Sequence, residues 1–469
     1  MSGGREEGAA AESSGRTLDR STPPPAGKLR TLRLPELRRF ELENGLQLLV
    51  AEDHQLPEVS LRLVVEAGAT CEAPGEEGAA ELTGRLLTEG AAGRSAREIA
   101  SWLDRLGAAF SVSAGYDVSI LSMHLLGDVL EGALDYLAAV ARHPTFEPAE
   151  VARVLAERRD EIERDLDRPE VVADHALIRA LYDDHRYGIP VAGDRTSVAG
   201  LGREELTAFH LRRYGPRGAT LIACGDVDPS GLLEAVETRF GAWAGGEGRP
   251  PDPREAAAGS EPGRVLLVDR PSSAQAEIRL GAVGAAYGDE AFFELLVGNA
   301  ILGGLFNSRV NMNLREEKGW TYGARTAFHF RRAAGPFVGQ AAVETGVAAD
   351  ALSEFLRETT DFLAGPPTAD EMELARNALV LSLPRQFETA SQVSSKLVTQ
   401  QVYGLPVDYW QSYQARVEAV TAAGATEAMR AHLDPARMAQ LVVGNAAELE
   451  APLRDRLGDV EVRPGPDRG

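Results

Sequence analysis

Histidine is the side chain to test first for metal chemistry, and the chain has eight: His54, His124, His143, His175, His185, His210, His329 and His432. The closest two, His175 and His185, stand ten residues apart, so neither H-x-x-x-H nor H-x-x-E-H occurs. Two histidines must be four apart to share one metal ion from one face of a helix. Each is therefore read as a surface or hydrogen-bonded histidine. The two cysteines, Cys71 and Cys224, form no close pair, which argues against a zinc ribbon, a redox motif or a disulfide framework. No G-x-S-x-G or S-x-x-K motif is present, and no cysteine stands near a plausible histidine partner.

Any other chemistry needs elements that position it. The 469 residues are enough for two or more domains with well-buried cores. Apolar residues make up 44% and charged residues 26%, an ordinary globular balance. Acidic residues number 71 against 49 basic ones, a net charge of -22. A surface that negative repels phosphate backbones and anionic lipid, so nucleic acid and membrane are not expected as partners. No apolar run approaches the roughly 18–20 residues that span a bilayer. Residues 1–28 are Gly, Ala, Ser, Pro and charge without the apolar core of a signal peptide, and read as a disordered tail. The expected location is cytoplasmic. Periplasmic export stays open if the start codon is wrongly assigned.

Ordered structure is expected from Leu29. Phe40 to Val50 alternates on both sides of Asn44-Gly45, a dipeptide that favours a two-residue hairpin turn with φ > 0 at both positions. Val59–Val65 reads as a strand, Ala79–Leu87 and Ala96–Leu106 as helices, and Phe110–Leu126 as strand-like. Val129–Ala141 is helical, Pro148–Leu166 is a long charged helix, and Ala219–Ala223 is a buried strand. Residues 241–263 carry Gly-Gly, Pro-Pro and Ala-Ala-Ala with little periodicity and read as a linker. The same order then returns, with strands at Val265–Val268, Ala276–Gly281 and Phe337–Glu344 and helices at Ala291–Ile301 and Asp350–Leu363. Ala133-Leu134, Pro144 and Glu150 match Ala351-Leu352, Pro367 and Glu371, which suggests a duplication offset by roughly 220 residues. The expected fold is α+β: two homologous domains, 29–240 and 264–452, each a mostly antiparallel sheet packed against helices, with 453–469 as a tail.

Several segments, in order from Leu37 to Asn445, resemble the pitrilysin/insulinase metallopeptidases, the group that includes mitochondrial processing peptidase. Leu42-Glu43-Asn44-Gly45-Leu46 is similar to the opening hairpin of that family. His185-Arg186-Tyr187-Gly188-Ile189-Pro190 through Gly193 resembles its HPYG.P..G loop, with Arg186 where Pro is usual. Tyr214-Gly215-Pro216 and Cys224-Gly225-Asp226 resemble the close of the first domain. Leu302-Gly303-Gly304, Leu314 to Gly323 and Phe387-Glu388-Thr389 resemble the second.

The resemblance implies where chemistry should sit. Active members carry H-x-x-E-H on an early helix, with a distal glutamate as third zinc ligand and the glutamate between the histidines as general base. Here Glu81 stands at the first histidine, Gly84 at the base and Arg85 at the second histidine, and only Glu161 matches the third-ligand position. No metal is expected on this chain, because a guanidinium is a fixed positive charge. Arg85 is expected to pair with Glu81 or Glu161 and fill the metal position. Arg315 and Tyr322 match an arginine and tyrosine with which members hold substrate over the zinc, although a helix-terminal arginine and a strand-initial tyrosine also suit packing. Lys318-Gly319 reads as the helix end between them. Trp320 reads as a packing aromatic, and Leu302-Gly303-Gly304 either as a glycine-rich substrate loop or as a tight turn.

The implied function is a non-catalytic, substrate-holding subunit of a heterodimeric zinc endopeptidase acting on peptides. Zinc would be carried by a homologous partner with the intact motif, and Arg315 and Tyr322 would complete the partner's site. The alternative is a catalytically inert scaffold or peptide-binding protein of the same fold. A self-sufficient metalloendopeptidase is the third reading, and the histidine spacing offers it no site.

Overall fold

Alternating and β-branched residues build two six-stranded sheets in the computed structural model, which describes residues 35–183, 185–248 and 264–466. The first sheet holds β1 (Leu37–Glu41), β2 (Gln47–Glu52), β3 (Glu58–Val65), β6 (Ala109–Ala114), β7 (Ser119–Leu126) and β8 (Thr220–Gly225), in the order β1-β2-β8-β3-β7-β6. A small ribbon of β4 (Gly90–Ala91) and β5 (Arg94–Ser95) lies apart from it. The second sheet holds β9 (Arg264–Asp269), β10 (Gln275–Val283), β11 (Thr321–Phe328), β12 (Pro336–Glu344), β13 (Ala439–Gly444) and β14 (Asp459–Pro464), in the order β11-β12-β10-β13-β9-β14. Each domain is therefore a sheet packed with helices, the α+β class expected.

Read in opposite directions, the two sheets are one pattern. β2 and β8 are parallel, as are β9 and β13, while β3 and β10 each run antiparallel between two neighbours. The sixth strand differs. In the first sheet β1 precedes β2 in the chain and pairs antiparallel; in the second β14 comes from the far end of the chain and pairs parallel with β9. Residues 453–469 are thus not simply a tail: 446–457 is a helix and 459–464 closes the sheet. The alternation Val460-Glu461-Val462 is too short to separate from its charged surroundings by pattern alone.

Two further expectations need correction. The Asn44-Gly45 turn is not a two-residue one: only Gly45 has a left-handed φ, of 91°. Gly45 N donates to Leu42 O and Leu42 N to Leu46 O, a three-residue loop. Asn44 instead donates to Phe240 O at 2.7 Å and Trp243 O at 3.1 Å, tying the hairpin to the end of the first domain. Phe110–Leu126 is two strands, not one, because the chain turns back at Gly115–Val118. The linker expected over 241–263 lies outside the described residues from 249 onward, as does the tail at 1–28.

Helices α1 (Ala79–Leu86), α2 (Ala96–Leu106), α3 (Leu130–Arg142) and α4 (Pro148–Leu166) belong to the first domain, whose main core they build with its sheet. The next helix, α5 (Pro169–Tyr182), packs on the second sheet, with Val172 and Ala173 against Val268, Leu441 and Val443. In exchange, the helix Ala390–Val402 lays Leu397, Val398 and Val402 on Leu49, Val64 and Ile222 of the first sheet. Burying each such side chain contributes about 1.5–3 kcal/mol.

An arginine at the fifth position of β3 and of β10 anchors each exchanged helix. Arg62 donates to Ser391 and Ser394, and Arg279, only 1% exposed, donates to Asp174 at 2.6 Å and Glu170 O at 3.1 Å. Their offset of 217 residues marks the duplication in the folded chain. Gly281 lets α5 come close, since a Cβ there would meet Leu177 at 2.8 Å.

The β11–β12 connection completes the join. Arg332 forms a two-pronged pair with Glu66 at 2.5 and 2.7 Å, and its backbone N–H donates to Asp117 at 3.2 Å. Arg331 lies over the rings of Tyr116 and Tyr187, at 3.7 and 4.5 Å from their centroids. The pair of Arg332 and Glu66 is buried. Arg332→Ala should therefore cost about 3–5 kcal/mol, because it strands a buried carboxylate. Urea unfolding followed from Trp102 and from Trp410 should coincide in one transition; two separated transitions would mean that the halves are independent.

Candidate functional site

Pro148 occupies the first turn of α4, where a missing N–H costs nothing, and the 19-residue helix carries Glu161 to the flank of α1. The N-terminus of α1 is held by the buried carboxylate of Glu72, which accepts from Gly78 N and Ala80 N at 3.1 and 2.8 Å. Arg186, at the position where the resembling loop has proline, grips Glu72 at 2.7 Å and the carbonyls of Ile189 and Pro190. Burial pushes Glu72 up to about 7 even so.

Glu81 and Arg85 lie one turn apart on α1 and meet Glu161 across the gap. Arg85 Nη1 and Nη2 donate to Glu161 Oε1 and Oε2 at 2.8 Å each, and Arg85 Nε donates to Glu81 Oε1. Arg158, one turn before Glu161, adds a contact at 3.2 Å and also donates to Ala192 O. The two carboxylates respond oppositely to the shared guanidinium. Burial outweighs Arg85 at Glu81 and raises its pKa, whereas the Arg85 hydrogen bonds outweigh burial at Glu161 and lower it. Glu81 Oε2 is buried without a hydrogen-bond partner.

These residues do not fit zinc. A dication would sit against two guanidinium groups with carboxylates as its only side-chain ligands. At Gly84, where the resemblance puts the base, space is tight as well: a Cβ would lie 3.1 Å from a Val112 methyl on β6, which would have to give way. Among the described residues, no group of three or more His, Cys, Asp or Glu side chains is placed to hold a metal ion. Three of the histidines are engaged elsewhere: His210 bonds Ala141 O and stacks on Tyr214, His432 bonds Asp289, and His54 bridges Asp226 and Glu52.

Arg315 and Tyr322 are brought together at a different place, a cleft of about 500 Å³ on the second domain. Arg315 lies in a π-helical stretch, Met312–Glu317, of the kind often found at functional sites. Its guanidinium lies 4.4 Å over Phe306 and 3.6 Å from Glu316. Gly319, φ 68°, ends the helix. β11 then begins with a bulge: Thr321 faces Val343 and Ala324 faces Ala341, leaving Tyr322 and Gly323 opposite Ala342. Bulges re-aim side chains, and Tyr322 stands 94% exposed on an edge strand. The glycines of Leu302-Gly303-Gly304 answer to close packing, since a Cβ on Gly303 would meet Thr326 at 2.4 Å. Trp320 takes the Lys318 ammonium 5.4 Å over its ring.

Comparison with known proteins adds identity to this geometry. Residues 47–195 match the family described as insulinase (peptidase family M16), and residues 200–379 match the peptidase M16 inactive domain. The chain belongs to the insulinase family of peptidases, M16. An uncharacterized zinc protease of Mycobacterium bovis is 29% identical over 77% of this chain and 82% of its own length. The uncharacterized zinc protease YmxG of Bacillus subtilis is 25% identical over 61% of this chain and 68% of its own length. A solved M16 inactive domain from Pseudomonas fluorescens covers 87% of this chain and 98% of its own, with a TM-score of 0.82 and 26% identity. A solved protease from Helicobacter pylori, 16% identical over 88% of this chain and all of its own, shares the fold at a TM-score of 0.83. Within this M16 member the zinc motif itself is lost, and no described helix is long and apolar enough to cross a membrane.

Sequence reading missed Arg158 and Phe306. The spacing of Arg158 three residues before Glu161 was available as a helical pair; nothing in the sequence placed Phe306 under Arg315.

Removing Arg85 leaves two facing carboxylates. Arg85→Ala should destabilise by about 1–2 kcal/mol at pH 7, less than a fully buried pair because Arg85 is a third exposed. Without the guanidinium Glu81 loses the partner that opposes its burial, and Glu161 loses the largest cause of its lowered pKa. The deficit should shrink as pH falls, first through the raised value of Glu81 in the variant and then below about 4.5, where the unaltered chain loses the stability it draws from ionised Glu161; an unchanged deficit at low pH would refute the pairing. Glu81→His with Arg85→His should gain one zinc ion against Glu161, detected by mass spectrometry of the metal, whereas stoichiometric zinc in the unaltered chain would overturn the argument.

Proposed function

We propose that this chain is the non-catalytic, substrate-holding subunit of a two-chain zinc endopeptidase that acts on peptides. The partner is a homologous chain with an intact H-x-x-E-H motif, and Arg315 and Tyr322 complete that partner's site. The observation that carries this reading is an asymmetry. Arg85 fills the metal position of this chain with ion pairs, while Tyr322 is turned outward by a bulge and Arg315 lines the open cleft beside it.

The chemistry suits the two side chains. A phenol O–H donates to a peptide carbonyl oxygen as it gains negative charge, and a fixed donor there acts mainly in the transition state. The planar fork of Arg315, steadied over Phe306, grips a neighbouring carbonyl or carboxylate. The open edge of β11 offers backbone groups to an extended peptide.

The test is peptidase activity of the purified chain alone and mixed with an M16 chain that carries H-x-x-E-H. No cleavage is expected alone and cleavage on mixing. Tyr322→Phe should then lower kcat about 10²–10³-fold, and Arg315→Ala should lower kcat/KM about 10–100-fold. Cleavage on mixing that neither substitution changes would favour an inert scaffold of the same fold.

A further inference from the structure

Cations are outnumbered in this protein, 49 to 71, and buried or half-buried arginines such as Arg85, Arg279 and Arg332 lie against carboxylates. Arg325 does not. It lines the same cleft as Arg315 and Tyr322, and faces the neutral side-chain amide of Gln340; with the amide oriented oxygen-inward, as its neighbours require, that oxygen accepts from Arg325 Nε at 3.2 Å and Nη2 at 2.9 Å. No carboxylate lies within ion-pair distance of it among the described residues. The carboxylates of the cleft are engaged elsewhere: Glu277 holds Arg279 at 2.8 Å and Glu170 holds Arg168 at 2.9 Å. Arg315 is only loosely paired, with Glu316 at 3.6 Å. Two guanidinium groups without a close carboxylate therefore border one cleft in a protein of net charge -22.

We infer that this cleft reads a carboxylate on the bound peptide, and that Arg325 is the residue that determines this specificity. The inference rests on the cleft being the peptide-holding site. Its register follows from the bulge. Tyr322 lies opposite Ala342 and Arg325 opposite Gln340, two steps along β12, or about 7 Å at roughly 3.3 Å per residue. A peptide added beside β11 brings a side chain about two residues from the bond at Tyr322 within reach of the Arg325 fork. The bidentate geometry of guanidinium and carboxylate favours Asp or Glu there over Asn or Gln. A peptide that ends at that point offers the same group as its C-terminal carboxylate.

The experiment measures direct binding to this chain alone, by fluorescence anisotropy, with labelled twelve-residue peptides. The set is a peptide with one central Asp, its Asn and Lys counterparts, and the Asn peptide with a free or an amidated C-terminus. The expected result is roughly tenfold tighter binding of the Asp peptide than of the Asn peptide, the scale of one charge-assisted pair, with a smaller ratio in 0.5 M NaCl. Arg325→Gln should abolish the preference, and Arg325→Glu should turn it towards Lys, with thermal unfolding unchanged in both. Preference for the free C-terminus in the Asn pair, lost in Arg325→Gln, would assign the carboxylate to the peptide end. Equal affinity across the set, or no binding of any peptide at millimolar concentration, would overturn the inference. Acid-selective binding without cleavage on mixing would leave the carboxylate site standing and remove the two-chain peptidase reading; cleavage on mixing without acid selectivity would do the reverse.

Discussion

The reciprocal exchange of helices is the constraint on which the rest of the molecule depends. A sheet has two faces, and each domain covers one of its own. The other apolar face, Leu49, Val64 and Ile222 in the first domain and Leu441 and Val443 in the second, is covered by a helix from the opposite half. Separating the halves would expose both faces at once, strand Glu66, whose partner Arg332 lies across the join, and leave Arg279 with Glu277 alone in place of Asp174 and Glu277. The two domains of the described residues are therefore one block, and the cleft borrows from both: its rim includes Glu170 of α5 from the first domain beside strands of the second.

The same economy explains the degenerate metal position. A zinc ion joining α1 to α4 would cross-link two helices through charge. Arg85 makes that cross-link with three hydrogen bonds of its own, to Glu81 on α1 and Glu161 on α4. A positive group thus joins the two carboxylates as a positive ion would, and Gly84, where the resemblance puts the base, is packed under Val112.

Much of this was legible in the sequence because its causes are local. The periodicity of Pro148–Leu166 and Ala96–Leu106 fixes those helices to the residue. Glu81, Gly84 and Arg85 were singled out by the resemblance, and their spacing puts Glu81 and Arg85 one turn apart on a single helix. What was not legible depends on partners distant in the chain. β14 is a strand only because β9 offers an edge some 195 residues earlier. Asn44 gives up the two-residue turn because carbonyls at Phe240 and Trp243 compete for its amide. The outward placement of Tyr322 arises from a register shift against β12 that no local pattern reveals.

The sign of the protein's charge and the sign of its cleft bear on what such a site can do. A body of net charge -22 repels an acidic peptide at long range. At physiological ionic strength that repulsion is screened beyond about 8 Å. Attraction to Arg315 and Arg325 acts at contact, where water is partly excluded and the planar forks are already oriented, one by Phe306 and the other by Gln340. Recognition built this way adds little to the rate of encounter and expresses itself in how long a matching peptide stays. On the proposed reading that division suits a subunit that holds: residence on the cleft, not speed of arrival, would set how often a held bond lies beside a partner's catalytic group.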